Sequence, residues 1–318
     1  MPAKHIYCIG ELLIDFVAER QGADLSKATE FIKKAGGAPA NVACAIAKLG
    51  GKSAFIGCVG KDPFGTFLLN TLEANDVDIS LAQRSDTFTT LAFVSLAENG
   101  ERDFVFSRGA DKDLEYDSSV KVAFKDNMIH LGAATALLGG PLEKAYGHYL
   151  FDALTENAFI SFDPNYRGDL WKNKESVFVK KCLPYIEKSH LCKFSLEEAQ
   201  LLSKKTGIKE ACAYLHNLGT PIITVTLGSE GTFVSTRTMQ RTIPSISVTP
   251  VDTTGAGDAF IGCLLQQIAT LPKSSMLFED DNLLMEMVEK ANRAGALTTT
   301  GYGAIESLPD QKQLYGFK

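Results

Sequence analysis

Residues 252–269 have the sequence DTTGAGDAFIGCLLQQIA, in which small residues lead into an apolar helical stretch. Small residues ahead of a helix let backbone N–H groups approach an anion, and the helix dipole adds positive potential there. Asp258 falls in the first turn of this predicted helix. Its carboxylate can accept the proton of an alcohol while the amides of Gly255, Ala256 and Gly257 hold the phosphoryl group that is being transferred.

The same stretch also has a purely structural interpretation, in which Asp258 caps a helix after a glycine turn. It is not a P-loop, because no Lys-Ser or Lys-Thr pair follows the glycines. It is not the dinucleotide-binding fingerprint either, because the next glycine after Gly257 is Gly262. The Asp-Thr-Thr that precedes the glycines favours the phosphate-binding interpretation.

A second glycine-rich turn, Gly36-Gly37-Ala38-Pro39-Ala40-Asn41, also opens a predicted helix. Its exposed amides and the Asn41 side chain, which both donates and accepts hydrogen bonds, suit a ligand with many hydroxyl groups. A plain turn with proline at the helix start is the alternative. Asp15 is predicted to end the first strand, where ligands bind in open α/β sheets, although such a residue is also common in caps and turns.

Short apolar segments bounded by glycine or polar residues predict strands at residues 6–9, 54–59, 128–131, 159–162, 190–194 and 222–226. Between them, the apolar spacing predicts helices at 39–49, 64–75 and 142–157. Strands that alternate with helices indicate an α/β fold: a doubly wound, mostly parallel sheet with helices on both faces.

One segment departs from this alternation, because strand-like residues 89–97 and 101–106 flank Asn99-Gly100. Asn-Gly between two such runs predicts an antiparallel hairpin. Together with the stretch after the first strand, the hairpin predicts a small β-sheet lid formed by about residues 12–33 and 87–109. The lid would be inserted into a single domain that spans residues 1–318. Its apolar residues Phe93, Phe104 and Phe106 predict an exposed apolar face.

Composition narrows the class of protein. The chain has 318 residues, of which 45% are hydrophobic and 22% charged, as is typical of a globular protein with a substantial core. Its 32 basic and 38 acidic residues give a net charge of −6, which argues against nucleic-acid or membrane partners. Glu11 and Asp15 interrupt the N-terminal apolar stretch, so a signal peptide is not expected. Seven widely spaced cysteines without a CxxC pair predict buried thiols in a cytoplasmic protein.

The chain resembles the ribokinase-like (PfkB) carbohydrate kinases nearly end to end, and among them it is most similar to the fructokinases. Residues 10–15 resemble the opening strand of the family. Residues 36–49 with 60–65, and 252–258, resemble its two signature motifs. The segments that resemble fructokinases in particular are residues 100–104, 108–111 and 162–167.

The resemblance implies a role for each matching residue. Asp258 is the implied catalytic base, and Gly255, Ala256 and Gly257 form the anion hole. The implied sugar contacts are Asp15, Gly36, Gly37, Asn41, Arg108 and Arg167, together with Asp258. The implied nucleotide site contains Lys193, Thr226, Gly228, Gly231 and Asn292, with Ala256 and Gly257. Asn165 and Glu198 are implied to bind Mg²⁺ through water. The family usually has Asn-x-x-Glu around this glutamate, but here Ser195 occupies the first position. Glu197 therefore remains an alternative to Glu198. The two loops that can enclose K⁺ contribute Asp252, Thr254, Thr298, Gly303 and Ser307.

We therefore expect a cytoplasmic, homodimeric sugar kinase that uses ATP and Mg²⁺, with K⁺ as a further cofactor, and that converts fructose to fructose 6-phosphate. A 2-keto-3-deoxygluconate kinase or a ribokinase of the same family is the alternative, since Arg108 or Arg167 can bind a substrate carboxylate. A Rossmann-type oxidoreductase is disfavoured, because this sequence lacks the glycine fingerprint of that class after the first predicted strand. A non-catalytic sugar-binding regulator would bind sugar without turnover.

Overall fold

The computed structural model describes residues 3–19, 25–96, 102–132 and 134–316. The strands are, in chain order, β1 (His5–Ile9), β2 (Leu13–Ala18), β3 (Phe31–Gly36), β4 (Lys52–Ile56), β5 (Cys58–Gly60), β6 (Gln83–Ser85), β7 (Leu91–Leu96), β8 (Arg102–Ser107), β9 (Met128–Leu131), β10 (Phe159–Phe162), β11 (Leu191–Ser195), β12 (Ile222–Thr226), β13 (Thr232–Ser235) and β14 (Gln240–Ile243). The α-helices are α1 (Ala38–Lys48), α2 (Pro63–Glu73), α3 (Pro141–Thr155), α4 (Glu175–Lys188), α5 (Leu196–Ser203), α6 (Ile208–Leu218), α7 (Ala256–Ala269), α8 (Asp281–Thr298), α9 (Ala304–Ser307) and α10 (Gln311–Gly316).

The main sheet has the strand order β14-β13-β12-β11-β10-β9-β1-β4. The six strands from β12 to β4 pair in parallel, while β13 and β14 add antiparallel strands at one edge. Side chains of β1 alternate between two cores: Ile6 packs with the helices α1, α7 and α8, and Ile9 packs in the other core, which contains residues of α3, α4, α5 and α6. The predicted α/β class, with helices on both faces of a mostly parallel sheet, is confirmed.

Two details of the main sheet differ from the sequence-based expectation. The predicted strand 54–59 is two strands, because Gly57 separates β4 from β5 and β5 pairs with β6 in a separate two-stranded sheet. A Cβ at Gly57 would overlap the carbonyl oxygen of Gly10 and the ring of Phe55, so the chain passes too close to its neighbours there for a side chain. The antiparallel edge formed by β13 and β14 was not predicted.

The small sheet has the order β3-β2-β7-β8, and β7 and β8 pair antiparallel as the hairpin prediction required. The turn residues Asn99 and Gly100 lie outside the described part of the chain. Strand β3 continues to Gly36, beyond the predicted limit of 33, and leads directly into α1. The small sheet is therefore joined without a linker to the helix that carries Asn41.

Apolar side chains of this sheet are exposed, but Phe93 and Phe106 are not the residues that provide them. Val17 and Ile32 are paired across β2 and β3 and are both exposed. Phe93 instead packs between Phe16 and Phe31, and Phe106 is half-buried. The side chain of Phe104 lies outside the described part of the structure.

The described residues contain no helix that is long and apolar enough to span a membrane. All seven cysteines are buried free thiols, as predicted.

Candidate active site

The turn at residues 252–255 leads into α7 and places Asp258 in the first turn of that helix. Gly255 precedes the helix with φ 78°, a left-handed conformation that glycine adopts without strain. A Cβ there would lie 2.6 Å from the Cβ of Ala304, so the turn packs directly on α9. The N–H of Ala256 donates to the carbonyl of Thr253 at 3.4 Å. The first N–H groups of a helix have no partner within it, so the N–H of Gly257 can bind an anion.

The carboxylate of Asp258 lies at the junction of α7 and α1. Its Oδ2 accepts a hydrogen bond of 2.8 Å from Nδ2 of Asn41, which is buried on α1. Burial raises the pKa of Asp258 above its usual value, while the Asn41 bond and the charge of Lys193 oppose that rise. The Oδ1 atom of Asn41 is buried and has no hydrogen-bond partner among the described residues, so an acceptor is available beside Asp258.

Lys193, on β11, lies between this turn and the neighbouring strand β10. Its Nζ is 2.9 Å from Oδ2 of Asp163, which follows β10 and is buried. A Cβ at Gly257 would lie 3.0 Å from the same Nζ, which places the ammonium group next to the predicted anion hole. Burial acts to lower the pKa of Lys193, but the carboxylates of Asp163, Glu198 and Asp258 outweigh it and raise the pKa, so the side chain is charged at neutral pH.

The chain after β10 brings Asn165 and Glu198 together through Tyr166. Asn165 has φ 48°, and its backbone N–H donates to Oδ1 of Asp163 at 3.2 Å. Glu198 is buried, accepting from the backbone N–H of Tyr166 at 2.7 Å and from that of Ser195 at 2.7 Å. The second bond belongs to a capping box with the Ser195 side chain at the start of α5. The alternative residue Glu197 is exposed.

Charge balance in this region fits a bound divalent cation. The carboxylates of Asp163, Glu198 and Asp258 share the ammonium group of Lys193, and burial raises the pKa of both Glu198 and Asp258. In the part of the chain that the structure describes, no three His, Cys, Asp or Glu side chains are placed to bind a metal directly. An Mg²⁺ ion that keeps most of its water ligands suits such a site, because it needs few direct protein ligands.

The glycine pair ahead of α1 places its backbone against Asp15 and Glu11. A Cβ at Gly36 would overlap the Asp15 carboxylate, and Gly37, with φ 112°, would place one 2.5 Å from the carbonyl oxygen of Glu11. The prediction that Asp15 ends the first strand is wrong, as is the assignment of residues 10–15 to the opening strand. β1 ends at Ile9, and Asp15 lies within β2, paired with Lys34. The carboxylate therefore projects from the small sheet toward the glycine turn.

The two predicted arginines have different environments. Arg108 is largely buried; its Nε donates to Oδ2 of Asp111 at 3.1 Å and its Nη2 to the carbonyl of Thr135 at 3.0 Å. Arg167 is exposed, and its Nη1 donates to the neighbouring carbonyl of Tyr166. Its positive charge nevertheless acts on Asp258 and opposes the rise in the pKa of that carboxyl group.

The predicted nucleotide residues lie at the ends of β11 and β12 and beyond. Thr226 ends β12 and donates to the carbonyl of Phe194 at 3.3 Å. Gly228 and Gly231 lie in the connection between β12 and β13. Asn292 on α8 accepts from Thr232 at 2.6 Å and donates to the carbonyls of Ile243 and Pro244. Asn292 thus holds the antiparallel edge of the sheet against α8.

The two loops predicted to enclose a monovalent cation are adjacent. Oδ1 of Asp252 accepts from the N–H and hydroxyl of Thr254, and Oδ2 accepts from the N–H of Gly303 at 3.0 Å. Gly301 approaches the Ser307 hydroxyl, since a Cβ there would lie 2.5 Å from it. Thr298 donates back to the Ala294 carbonyl within α8. Both carboxylate oxygens of Asp252 therefore brace the turn in this structure.

Sequence reasoning assigned no role to three buried carboxylates in this region: Glu11, Asp111 and Asp163. Each lay within a segment that resembled the family, yet none carried an implied function. Their charge could have indicated a role, because an acidic residue in an apolar strand or beside a glycine turn is rarely left without a partner.

The chain is similar in sequence and in fold to known carbohydrate kinases. The model of the pfkB family of carbohydrate kinases matches residues 3–311. Fructokinase-1 of Zea mays is 36% identical over 314 residues, which cover 97% of this chain and 96% of that protein. A fructokinase from Vibrio cholerae O395, solved with fructose, ADP and calcium bound, has a TM-score of 0.85 at 32% identity and covers 99% of both chains. An aminoimidazole riboside kinase from Salmonella enterica, complexed with aminoimidazole riboside and an ATP analogue, has a TM-score of 0.83 at 28% identity and covers 98% of each chain.

Proposed function

Because this chain belongs to the pfkB family of carbohydrate kinases, we propose that it transfers the γ-phosphoryl group of ATP to a primary hydroxyl of fructose and forms fructose 6-phosphate. One observation carries the proposal: the carboxylate of Asp258 lies beside a helix N-terminus and close to Lys193, with Asn41 hydrogen-bonded to it. This arrangement combines a base with a site for a phosphoryl group.

The chemistry follows from those positions. Asp258 accepts the proton of the attacking sugar hydroxyl. At the same time the hydroxyl oxygen bonds to the γ-phosphorus, and the bond from that phosphorus to ADP breaks. The amides at Gly255, Ala256 and Gly257 stabilise the charge on the transferring phosphoryl group, and the ammonium group of Lys193 adds positive charge beside them. Mg²⁺, when bound, neutralises the nucleotide phosphates. Asn165 and Glu198 would hold its water ligands.

On the sugar side, we assign the contacts to Asp15, Gly36, Gly37, Asn41, Arg108 and Arg167. The Oδ1 of Asn41, to which no described residue donates a hydrogen bond, is available to a sugar hydroxyl. The pairing of Arg108 with Asp111 offsets its positive charge, which favours a neutral sugar over the acidic 2-keto-3-deoxygluconate. On the nucleotide side, we assign Thr226, Gly228, Gly231 and Asn292 to the ATP site.

We further propose that the chain is one kinase domain in which residues 12–33 and 87–109 form a lid. The enzyme would be a homodimer with the lids at its interface. The exposed pair Val17 and Ile32 supports this arrangement. Free, buried thiols support a cytoplasmic location.

We also propose a K⁺ ion between the loops that contain Asp252, Thr254, Thr298, Gly303 and Ser307. Such an ion would hold the turn that positions Gly255, so it should raise kcat several-fold without changing the sugar KM. Activity is measured in tetramethylammonium buffer with and without KCl at constant ionic strength. Potassium activation that is lost in Asp252→Ala supports the site, whereas equal rates in both buffers exclude it.

The proposed substrate is tested with a panel of acceptors, with ATP and Mg²⁺ present and ADP release as the readout. The panel contains fructose, ribose, 2-keto-3-deoxygluconate and aminoimidazole riboside. We expect kcat/KM for fructose to exceed that for each competitor by tenfold or more. A higher value for any competitor would replace fructose in the proposal, and sugar binding without ADP release would exclude kinase activity.

A further inference from the structure

A buried hydrogen-bond cluster lies where the small sheet joins the main body of the protein. Asp111 is completely buried, although it is a carboxylate. Its Oδ1 accepts from the hydroxyl of Thr90, which directly precedes β7, and its Oδ2 accepts from Nε of Arg108, which directly follows β8. Asp111 therefore joins the strand that enters the hairpin to the strand that leaves it.

The same cluster fixes the plane of the Arg108 guanidinium group. The Nε bond to Asp111 and the Nη2 bond to the carbonyl of Thr135, at 3.1 and 3.0 Å, define two directions of a rigid planar fork. Two anchored nitrogens orient the Nη1 edge of the group as well. A side chain that is held in this way loses little entropy when it binds a ligand.

The far end of the cluster reaches the glycine turn through Glu11. The Thr135 backbone N–H and hydroxyl both donate to Oε2 of Glu11 at 3.3 Å. Oε1 of Glu11 accepts from the N–H of Ala38, the first residue of α1. Hydrogen bonds through Thr135 and Glu11 thus connect Arg108 to the helix that carries Asn41, and they involve four separate parts of the chain.

We propose that Asp111 is a positioning residue for sugar binding, which acts by holding Arg108 in the orientation that contacts the sugar. The inference rests on the proposed function, because it takes Arg108 as a sugar contact. A displacement of about 1 Å in a binding group is enough to lose much of its interaction. The position of Arg108 therefore depends on a carboxylate that never touches the substrate.

The first test is Asp111→Asn, which keeps the size of the side chain but removes the charge that pairs with Arg108. We expect the fructose KM to rise about tenfold or more, as is typical when a charged hydrogen bond is lost, while the ATP KM and kcat stay within about threefold. The matched control is Asp113→Asn in the same 3₁₀ turn, where the carboxylate accepts from the Ser85 hydroxyl at 3.0 Å. The control should leave both KM values unchanged.

The second test separates positioning from a general structural role. In an Arg108→Ala background, Asp111→Asn should raise the fructose KM no further, because the group through which Asp111 acts is gone. An equal additional rise in that background would overturn the proposal, as would a parallel rise in the ATP KM. If Asp111→Asn does not fold, Thr90→Val is used in the same cycle. It removes the other bond to the carboxylate, together with the bonds that the Thr90 hydroxyl accepts from the N–H groups of Gly109 and Asp111.

Failure of the proposed function would be visible in the unmodified enzyme, as absence of turnover with fructose. The cycle is then repeated with the acceptor that the unmodified enzyme prefers. An unchanged KM for that acceptor in Asp111→Asn would contradict the positioning role independently of which sugar is the substrate.

Discussion

At the scale of single residues, the side chain of Asp258 is held by Asn41 on one side and lies within the field of Lys193 on the other. Replacement of Asp258 by Asn keeps its size and removes the base. We expect kcat to fall on the order of 10²–10⁴-fold with ATP binding retained. Steady-state kinetics and nucleotide titration measure both quantities. The control is Asp86→Asn, because Asp86 is an exposed carboxylate paired with Lys61. A near-normal rate in Asp258→Asn would exclude Asp258 as the base.

The Asn41 bond also predicts a pH effect. Hydrogen bonding to the carboxylate stabilises its charged form and lowers the pKa of Asp258, so Asn41→Ala should raise that pKa further. Because the base must be ionised, the acid limb of the pH profile of kcat should move to higher pH in Asn41→Ala. The pH profile of kcat is measured at saturating sugar. The control is Asn70→Ala, because Asn70 is exposed. A limb that stays in place or moves to lower pH contradicts this role of Asn41.

At the scale of elements, the turn before α7 requires glycine at position 255. Ala there would adopt a left-handed φ and would also place its Cβ against Ala304. We expect Gly255→Ala to lower kcat at least tenfold by displacing the amides of the turn, with a smaller effect on the sugar KM. Gly316→Ala is the control, because a Cβ there meets no atom within 4 Å. Normal kcat in a folded Gly255→Ala variant would show that the turn tolerates displacement.

The main sheet could be predicted from the sequence because its strands are short apolar runs separated by amphipathic helices. The break at Gly57 could not, because apolar residues continue on both sides of it and only the approach of Gly10 reveals the reason. Asp15 was placed on the wrong strand for a similar reason: residues 6–18 are apolar almost throughout, so periodicity does not show where the chain leaves the main sheet.

Some residues of the candidate site could likewise be predicted from the sequence, whereas others could not. Asp258 and Asn41 were identifiable because each follows a glycine turn at a helix start. The ion pair of Asp163 with Lys193 joins two strands that are adjacent only in the folded sheet, and nothing local in the sequence marks it. The same holds for Asp111 and Arg108, whose spacing is short but whose burial depends on the two strands that enclose them.

At the scale of the whole molecule, the exposed apolar residues of the small sheet predict a homodimer. Ile32→Glu would place a charge at the proposed interface, so it should shift the molar mass in light scattering from dimer toward monomer at micromolar concentration. Val122→Glu is the control, since Val122 is more exposed but lies away from the small sheet. A monomer mass for the unmodified protein would rule out the dimer.

We propose that Asp258 is the base that accepts the proton when a primary hydroxyl of fructose attacks the γ-phosphoryl group of ATP. The direct measurement is ³¹P NMR of the product formed from fructose, ATP and Mg²⁺ by the unmodified enzyme and by Asp258→Asn. We predict fructose 6-phosphate in a one-to-one ratio with ADP from the first, and almost none from the second over the same time. ADP without phosphorylated fructose, a phosphate on a different hydroxyl, or equal product from Asp258→Asn would contradict the account.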